Sequence, residues 1–273
     1  MKQKSTKKLL STSLLLVLIA LVSLTAATTA WMTIADSTRL KTMRLDVTSG
    51  ANLRFDLDSH ETFEEYVKSL RLIDIADRIL RDQGYHPREN PLSPVTTTDC
   101  IHFTLENGEP AAKESYMEFV LHFMATDDMV VHLTTAGEEG TRIFSDEVSD
   151  IAKAMRISFT ADDSTAVYDP GMEPGSEEGL GGKIFGLARG NRIVYDASNT
   201  LFFLKAGVDK PVTVRIWLEG TDEICTDALR GVPYHIQLRF VGTDENGNLL
   251  EDSRTITRRS AAATPTEERN ENK

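Results

Sequence analysis

Apolar side chains recur at every second position in six separate stretches of this chain, and no other feature narrows its folding choices so far. In VTVRIWLEG, Val212, Val214, Ile216 and Leu218 alternate with Thr213, Arg215, Trp217 and Glu219. YHIQLRF sets Tyr234, Ile236, Leu238 and Phe240 against His235, Gln237 and Arg239. SYMEFVLHF sets Met117, Phe119, Leu121 and Phe123 against Glu118 and His122. The same rhythm joins Met43, Leu45 and Val47; Leu53, Phe55 and Leu57; and Met129, Val131 and Leu133. Successive strand residues point to opposite faces, so the pattern describes half-buried antiparallel strands with one wet face. Six such segments between turn-rich stretches predict a mostly β fold with two sheets packed face to face.

Two helices interrupt the alternation. Phe63, Tyr66, Val67, Leu70, Ile73, Ala76 and Leu80 fall at helical spacing, which predicts one long helix over 61–83. Asp58 stands as its N-cap with Glu61 three residues on, and Gly84 sits where it stops. A short helix near 147–154, with Val148, Ile151 and Ala152 inward, feeds a strand over Met155–Phe159. HPRENPLSPVTTT and DPGMEPGSEEGLGGK, residues 169–183, read as loops. The charged stretch 251–273, almost free of apolar residues beyond an alanine triplet, reads as a disordered tail without an LPxTG-like sequence.

The chain opens on Lys2, Lys4, Lys7 and Lys8, followed by LLSTSLLLVLIALVSLTAATTA, uncharged from Leu9 onward. Such a run behind a basic head is an export signal or a transmembrane anchor, with membrane contact confined to residues 9–30. Small residues at Thr25–Ala30 suit a signal peptidase, the partner this segment implies, and place candidate cleavage after Ala27 or Ala30. The expected division is therefore a signal peptide or anchor at 1–30, a β-sandwich at 31–250 with a helical insertion near 61–83, and the tail. Either form of leader puts the body outside the cytoplasm, secreted or on the extracellular face of the membrane.

Charge narrows the partners. Residues 1–30 hold four lysines and no acid, so the rest carries 26 basic and 42 acidic side chains, a net of −16. Nucleic acid needs cations to displace its counterions, and this body argues against it. Cys100 and Cys225 form a candidate disulfide, open in the sequence alone; a free pair is the rival reading. The six histidines, His60, His86, His102, His122, His132 and His235, include no HExxH pair, and Ser176 in PGSEEG is not in a GxSxG elbow. His122, His132 and His235 fall on polar strand faces as solvated or hydrogen-bonded rings. Thr243-Asp244-Glu245-Asn246-Gly247-Asn248 reads as a hairpin turn in preference to a calcium loop. No catalytic, metal or cofactor residue is assigned, and the chain reads as a non-enzyme.

Three segments carry a resemblance. The leader runs into Trp31-Met32-Thr33-Ile34-Ala35-Asp36-Ser37-Thr38; VSDIAKAMRISF lies at 148–159; and VRIWLEGTDEICTD lies at 214–227. In these the chain resembles the TasA/camelysin-like exported proteins of Gram-positive bacteria, which share a dedicated signal peptidase. The resemblance implies a secreted, jelly-roll-like sandwich of the biofilm matrix or cell surface. It also implies self-association or binding to matrix proteins, in which an exposed N-terminal strand completes a neighbour's sheet. Trp31, Met32 and Ile34 are then the candidate assembly strand, and filament growth the expected function. An extracellular ligand-binding or adhesion module is the alternative, with a camelysin-type hydrolase behind it.

Overall fold

The computed structural model describes residues 40–47, 52–229 and 231–250. The leader with Ala27 and Ala30, the segment holding Trp31, Met32 and Ile34, and the tail 251–273 lie outside these residues. Among the described residues no helix is long and apolar enough to cross a membrane, which corrects the transmembrane expectation. The run 9–30 that prompted it is not among them.

The architecture is mostly β: two sheets with two helices inserted. The first sheet contains β1 (Leu40–Val47), β3 (Ser69–Arg71), β7 (Met129–Leu133), β8 (Arg142–Phe144), β13 (Thr200–Leu204) and β15 (Tyr234–Thr243). Its path runs β13-β7-β15-β1-β3, with β8 also on β15. The second is built on β14 (Lys210–Glu219), which lies between β9 (Met155–Ala161) and β6 (Met117–Ala125). From β9 it continues through β10 (Ser164–Tyr168) to β12 (Gly182–Gly186) and β11 (Gly175–Gly179). Beyond β14 lie β4 (Pro94–Thr97) and β5 (Phe103–Thr104), and β2 (Leu53–Asp56) pairs with β6.

The predicted alternation produces this packing. Met117, Phe119, Leu121 and Phe123 on β6, the four valine, isoleucine and leucine residues named on β14, and the four on β15 are all buried. Phe123 of the second sheet lies 5.2 Å from Phe240 and 5.0 Å from Phe202 of the first, ring centre to ring centre, so the sheets share one core. Not every pairing is antiparallel: β1–β15, β10–β12 and β4–β14 run parallel. Trp217, placed on a wet face by the alternation, is fully buried with Val95, Cys100, Phe103 and Val167 in a second, smaller cluster. The β4–β5 segment covers it, and the indole N–H donates to Glu219 at 3.0 Å.

The long helix is shorter than its spacing predicts. Only Leu72–Gln83 (α1) is α-helical, and Leu72, Ile75, Ala76 and Ile79 face inward while Ile73 and Leu80 are exposed. Phe63–Glu65 makes a single 3-10 turn, and the residues after it pair with strands: Val67 bridges Phe55, and Ser69–Arg71 joins β1. The cap moves with the boundary, since the Asp74 carboxylate accepts from the Arg71 backbone N–H, whereas Asp58 pairs with Arg78. Gly84 does end the helix, in the left-handed region at φ 82°. The short helix, α2 (Ile151–Ala154), leads into β9 as expected, although Val148 is fully exposed.

The 169–183 stretch is not a loop throughout. It supplies β11 and the first residues of β12, a hairpin whose glycines fit crowded backbone: a Cβ on Gly182 would lie 2.2 Å from the Thr165 carbonyl oxygen. The proline-rich stretch likewise contains β4. The 243–248 segment is a turn, with Gly247 N–H donating to the Asp244 carbonyl and Thr243 bridging Leu249.

Candidate functional site

Strand β13, Thr-Leu-Phe-Phe-Leu, is an edge. Among the described residues it pairs with β7 alone. An unpaired edge exposes backbone donors and acceptors to any passing strand, and natural sheets protect such edges with charge, proline or brevity. β11 has Glu177 and Glu178, and β3 has only three residues. β13 has five, none charged, and its Phe203 ring is 47% exposed.

Buried polar contacts fix where this edge begins. His132 of β7 holds Asn199, the residue before β13, through Nδ1 at 2.8 Å to the Asn199 side-chain oxygen, while Nε2 lies 3.2 Å from Thr243 Oγ1. Burial lowers the His132 pKa, so this ring is a neutral structural link. Asn199 in turn donates to the Val194 carbonyl at 2.7 Å, and the Tyr195 hydroxyl donates to Thr134 Oγ1 at 2.6 Å. Together these tie the 193–199 loop to β7.

Beside β13 a cleft of about 620 Å³ opens between the two sheets. Asp162, Glu178, Lys183, Lys210 and Phe203 contribute to its walls. Lys210 pairs with Asp162 at 2.7 Å. Lys183 crosses from β12 and donates to the carbonyl oxygens of Ala197 at 2.7 Å and Thr200 at 2.8 Å. Burial lowers its pKa against the opposing charges of Asp196 and Glu178.

Each remaining histidine has a partner, and Tyr66, bonded to both Asp209 and the His60 backbone, joins two of these groups. His122 lies 2.9 Å from Asp209, whose carboxylate also accepts from Tyr66 at 2.8 Å and Ser59 at 3.0 Å. His60 pairs with Asp56, His102 with Asp99 and His235 with Asp146. The His86 ring accepts from the Arg88 N–H. No three His, Cys, Asp or Glu side chains among the described residues are placed to hold a metal ion. Cys100 and Cys225 are separate thiols, the first fully buried in the small cluster, the second half-buried against the main core. Ser176 lies within β11.

The alternation rule missed β13 because a bulge breaks its period. The register to β7 shifts between Thr200 and Phe202, which lets the adjacent Leu201 and Phe202 both turn inward. A run of β-branched and aromatic residues bounded by Asn199 and Gly207 was the signal present in the sequence. Comparison with known protein families, with curated proteins and with solved structures gives no match.

Proposed function

We propose that this chain is a structural subunit, secreted or held at the extracellular face of the cell, which assembles with copies of itself by strand addition and has no catalytic role. The observation that carries this reading is the uncharged edge of β13, paired among the described residues with β7 alone, with a cleft alongside it. The jelly-roll form of the sandwich, export through a signal peptidase, and a place in a surface matrix belong to the same reading.

Register supplies a reason for assembly between copies. Leu40 at the start of β1 is level with Tyr234, whereas β13 lies level with Val241 and beyond, through β7. At ~3.4 Å per residue and ~4.8 Å per strand, these positions are separated by about 24 Å along the sheet and about 14 Å across it. A chain cut after Ala30 has residues 31–39 ahead of β1, which extend at most about 30 Å. Reaching its own β13 would use nearly all of that length and leave nothing to pair. Offered to a second copy, the same segment can lie along the strand. A contact that joins one end of a copy to the other end of the next is heterologous and continues as a filament.

The test is electron microscopy of protein spanning 31–273 beside protein lacking residues 31–39. The cut stops at Arg39 because Leu40 is already a buried member of β1. Filaments from the longer chain and none from the shorter support strand addition; monodisperse monomer from both contradicts it. The second reading, an extracellular ligand-binding or adhesion module, draws on the same cleft, whose walls offer paired charges and an exposed ring. Its sign would be monomers that bind a matrix component with Phe203 in contact.

A further inference from the structure

The β13 edge has no charge of its own, yet one charge reaches it. Lys183 belongs to the opposite sheet, and its stem spans the cleft so that Nζ rests on the Ala197 and Thr200 carbonyls at the start of β13. Lysines protect sheet edges because pairing with a new strand displaces or buries the ammonium. An ammonium stripped of partners in a half-buried site is strongly unfavourable, so a lysine that only blocked would close the edge permanently. Here a second resting place exists. Glu178 stands directly opposite Lys183 in the β11–β12 ladder, and its charge, after that of Asp196, favours the protonated amine. Both residues line the cleft.

We propose that Lys183 is the gate of the β13 edge. With its ammonium on the Ala197 and Thr200 carbonyls it holds the cleft against an incoming strand. It yields by swinging to the Glu178 carboxylate as an extended segment of a second copy adds along β13. This gate rests on the strand-addition reading above. The exchange leaves no buried charge without a partner: the amine trades two carbonyls for one carboxylate, and the incoming strand's N–H groups take over the edge acceptors. Lys183 therefore sets the protein concentration at which copies join, while the exposed Phe203 supplies apolar contact once the strand is seated.

The two halves of the gate predict opposite effects. We would measure the critical concentration for assembly of the 31–273 chain by light scattering and sedimentation, for the wild type, Lys183→Met, Glu178→Gln and Lys183→Arg. Thermal unfolding of each variant checks the fold. Lys183→Met keeps the apolar stem and removes the blocking charge, and should lower the critical concentration about tenfold, as expected for losing one or two hydrogen bonds from the closed state. Glu178→Gln removes the retreat and should raise it about threefold, by weakening one charged interaction at a partly exposed site. Lys183→Arg retains the blocking donors and should follow the wild type.

A folded Lys183→Met chain with an unchanged or higher critical concentration overturns the gate. If the wild type still forms filaments in that case, strand addition survives without it. If none of the four chains assembles and none binds a labelled peptide of residues 31–39, both ideas fall. Filaments from Lys183→Met under conditions where the wild type stays monomeric would support both.

Discussion

Replacing Phe123 with alanine should separate what holds the sheets together from what happens at their edge. Phe123 is fully buried, and three rings surround it: Phe202 at 5.0 Å, Phe240 at 5.2 Å and Phe55 at 5.6 Å. Truncating a buried phenylalanine costs about 3–5 kcal/mol, from lost transfer energy and the cavity left behind. Each tilted or edge-to-face aromatic pair adds about 0.5–1.5 kcal/mol beyond its buried area. The surrounding rings come from strands of both sheets, so the cavity has little freedom to collapse, and the loss should fall near the top of that range, about 4–5 kcal/mol. With a urea slope of about 2 kcal/mol/M, the unfolding midpoint should drop by about 2 M. Trp217, buried in the second cluster, provides a fluorescence signal for the titration. Phe203→Ala is the control. That ring is 47% exposed, so stability should move by about 0.5 kcal/mol while assembly weakens. A midpoint shift below about 0.5 M for Phe123→Ala, or equal stability losses for the two variants, would falsify the assignment of one ring to the core and the other to the edge.

Three further outcomes follow from particular contacts. Burial alone would raise the Asp99 pKa, but hydrogen bonds from the His102 ring, the His102 and Ile101 N–H groups and the Thr97 hydroxyl outweigh it and hold the carboxyl far below its usual 3.8. Because the folded value is depressed, the ionised group stabilises the fold above the ordinary carboxylate pKa, and this is lost as pH falls through the folded value. Asp99→Asn should therefore lower stability at neutral pH and flatten the acid-unfolding curve below about pH 4, read by circular dichroism. The Cys100 thiol is pushed up to about 11 by burial, so in native protein at pH 8 Cys225 should react first with a disulfide reagent and Cys100 only on unfolding; equal native rates would contradict that placement. Gly182→Ala drives a methyl group into the Thr165 carbonyl and should cost about 1–3 kcal/mol, with faster amide exchange confined to residues 175–186.

The sequence carries the sheets more clearly than the edges. Where one face is buried and the other wet, as along Met117–Phe123 and Tyr234–Phe240, the side chains themselves record the period and the strands are visible. That record fails when both faces are covered: Trp217 looks like a member of the polar face only because nothing local announces the β4–β5 cover. It fails again at 61–71, where Phe63, Tyr66 and Val67 match a helical stripe. There the backbone is captured by strand partners, Phe55 for Val67 and β1 for Ser69–Arg71, which a helical reading of one segment cannot foresee. The Gly-rich hairpin hides for a different reason, since its glycines answer to carbonyls on β10 and the 172–173 turn. The candidate edge shows the same dependence on distant groups. The composition of β13 suggests a strand, but its position at the sheet edge, and the reach of Lys183 across the cleft, exist only after β7 and β12 are in place.

Amide hydrogen exchange across Thr200–Leu204, compared between monomer and assembled protein of the 31–273 chain, tests the central claim most directly. Addition of a strand along β13 must protect outward-facing amides of this segment on assembly, and the protection should be absent when residues 31–39 are removed. Assembled protein in which Thr200–Leu204 exchanges as fast as in the monomer would show that the copies join somewhere else.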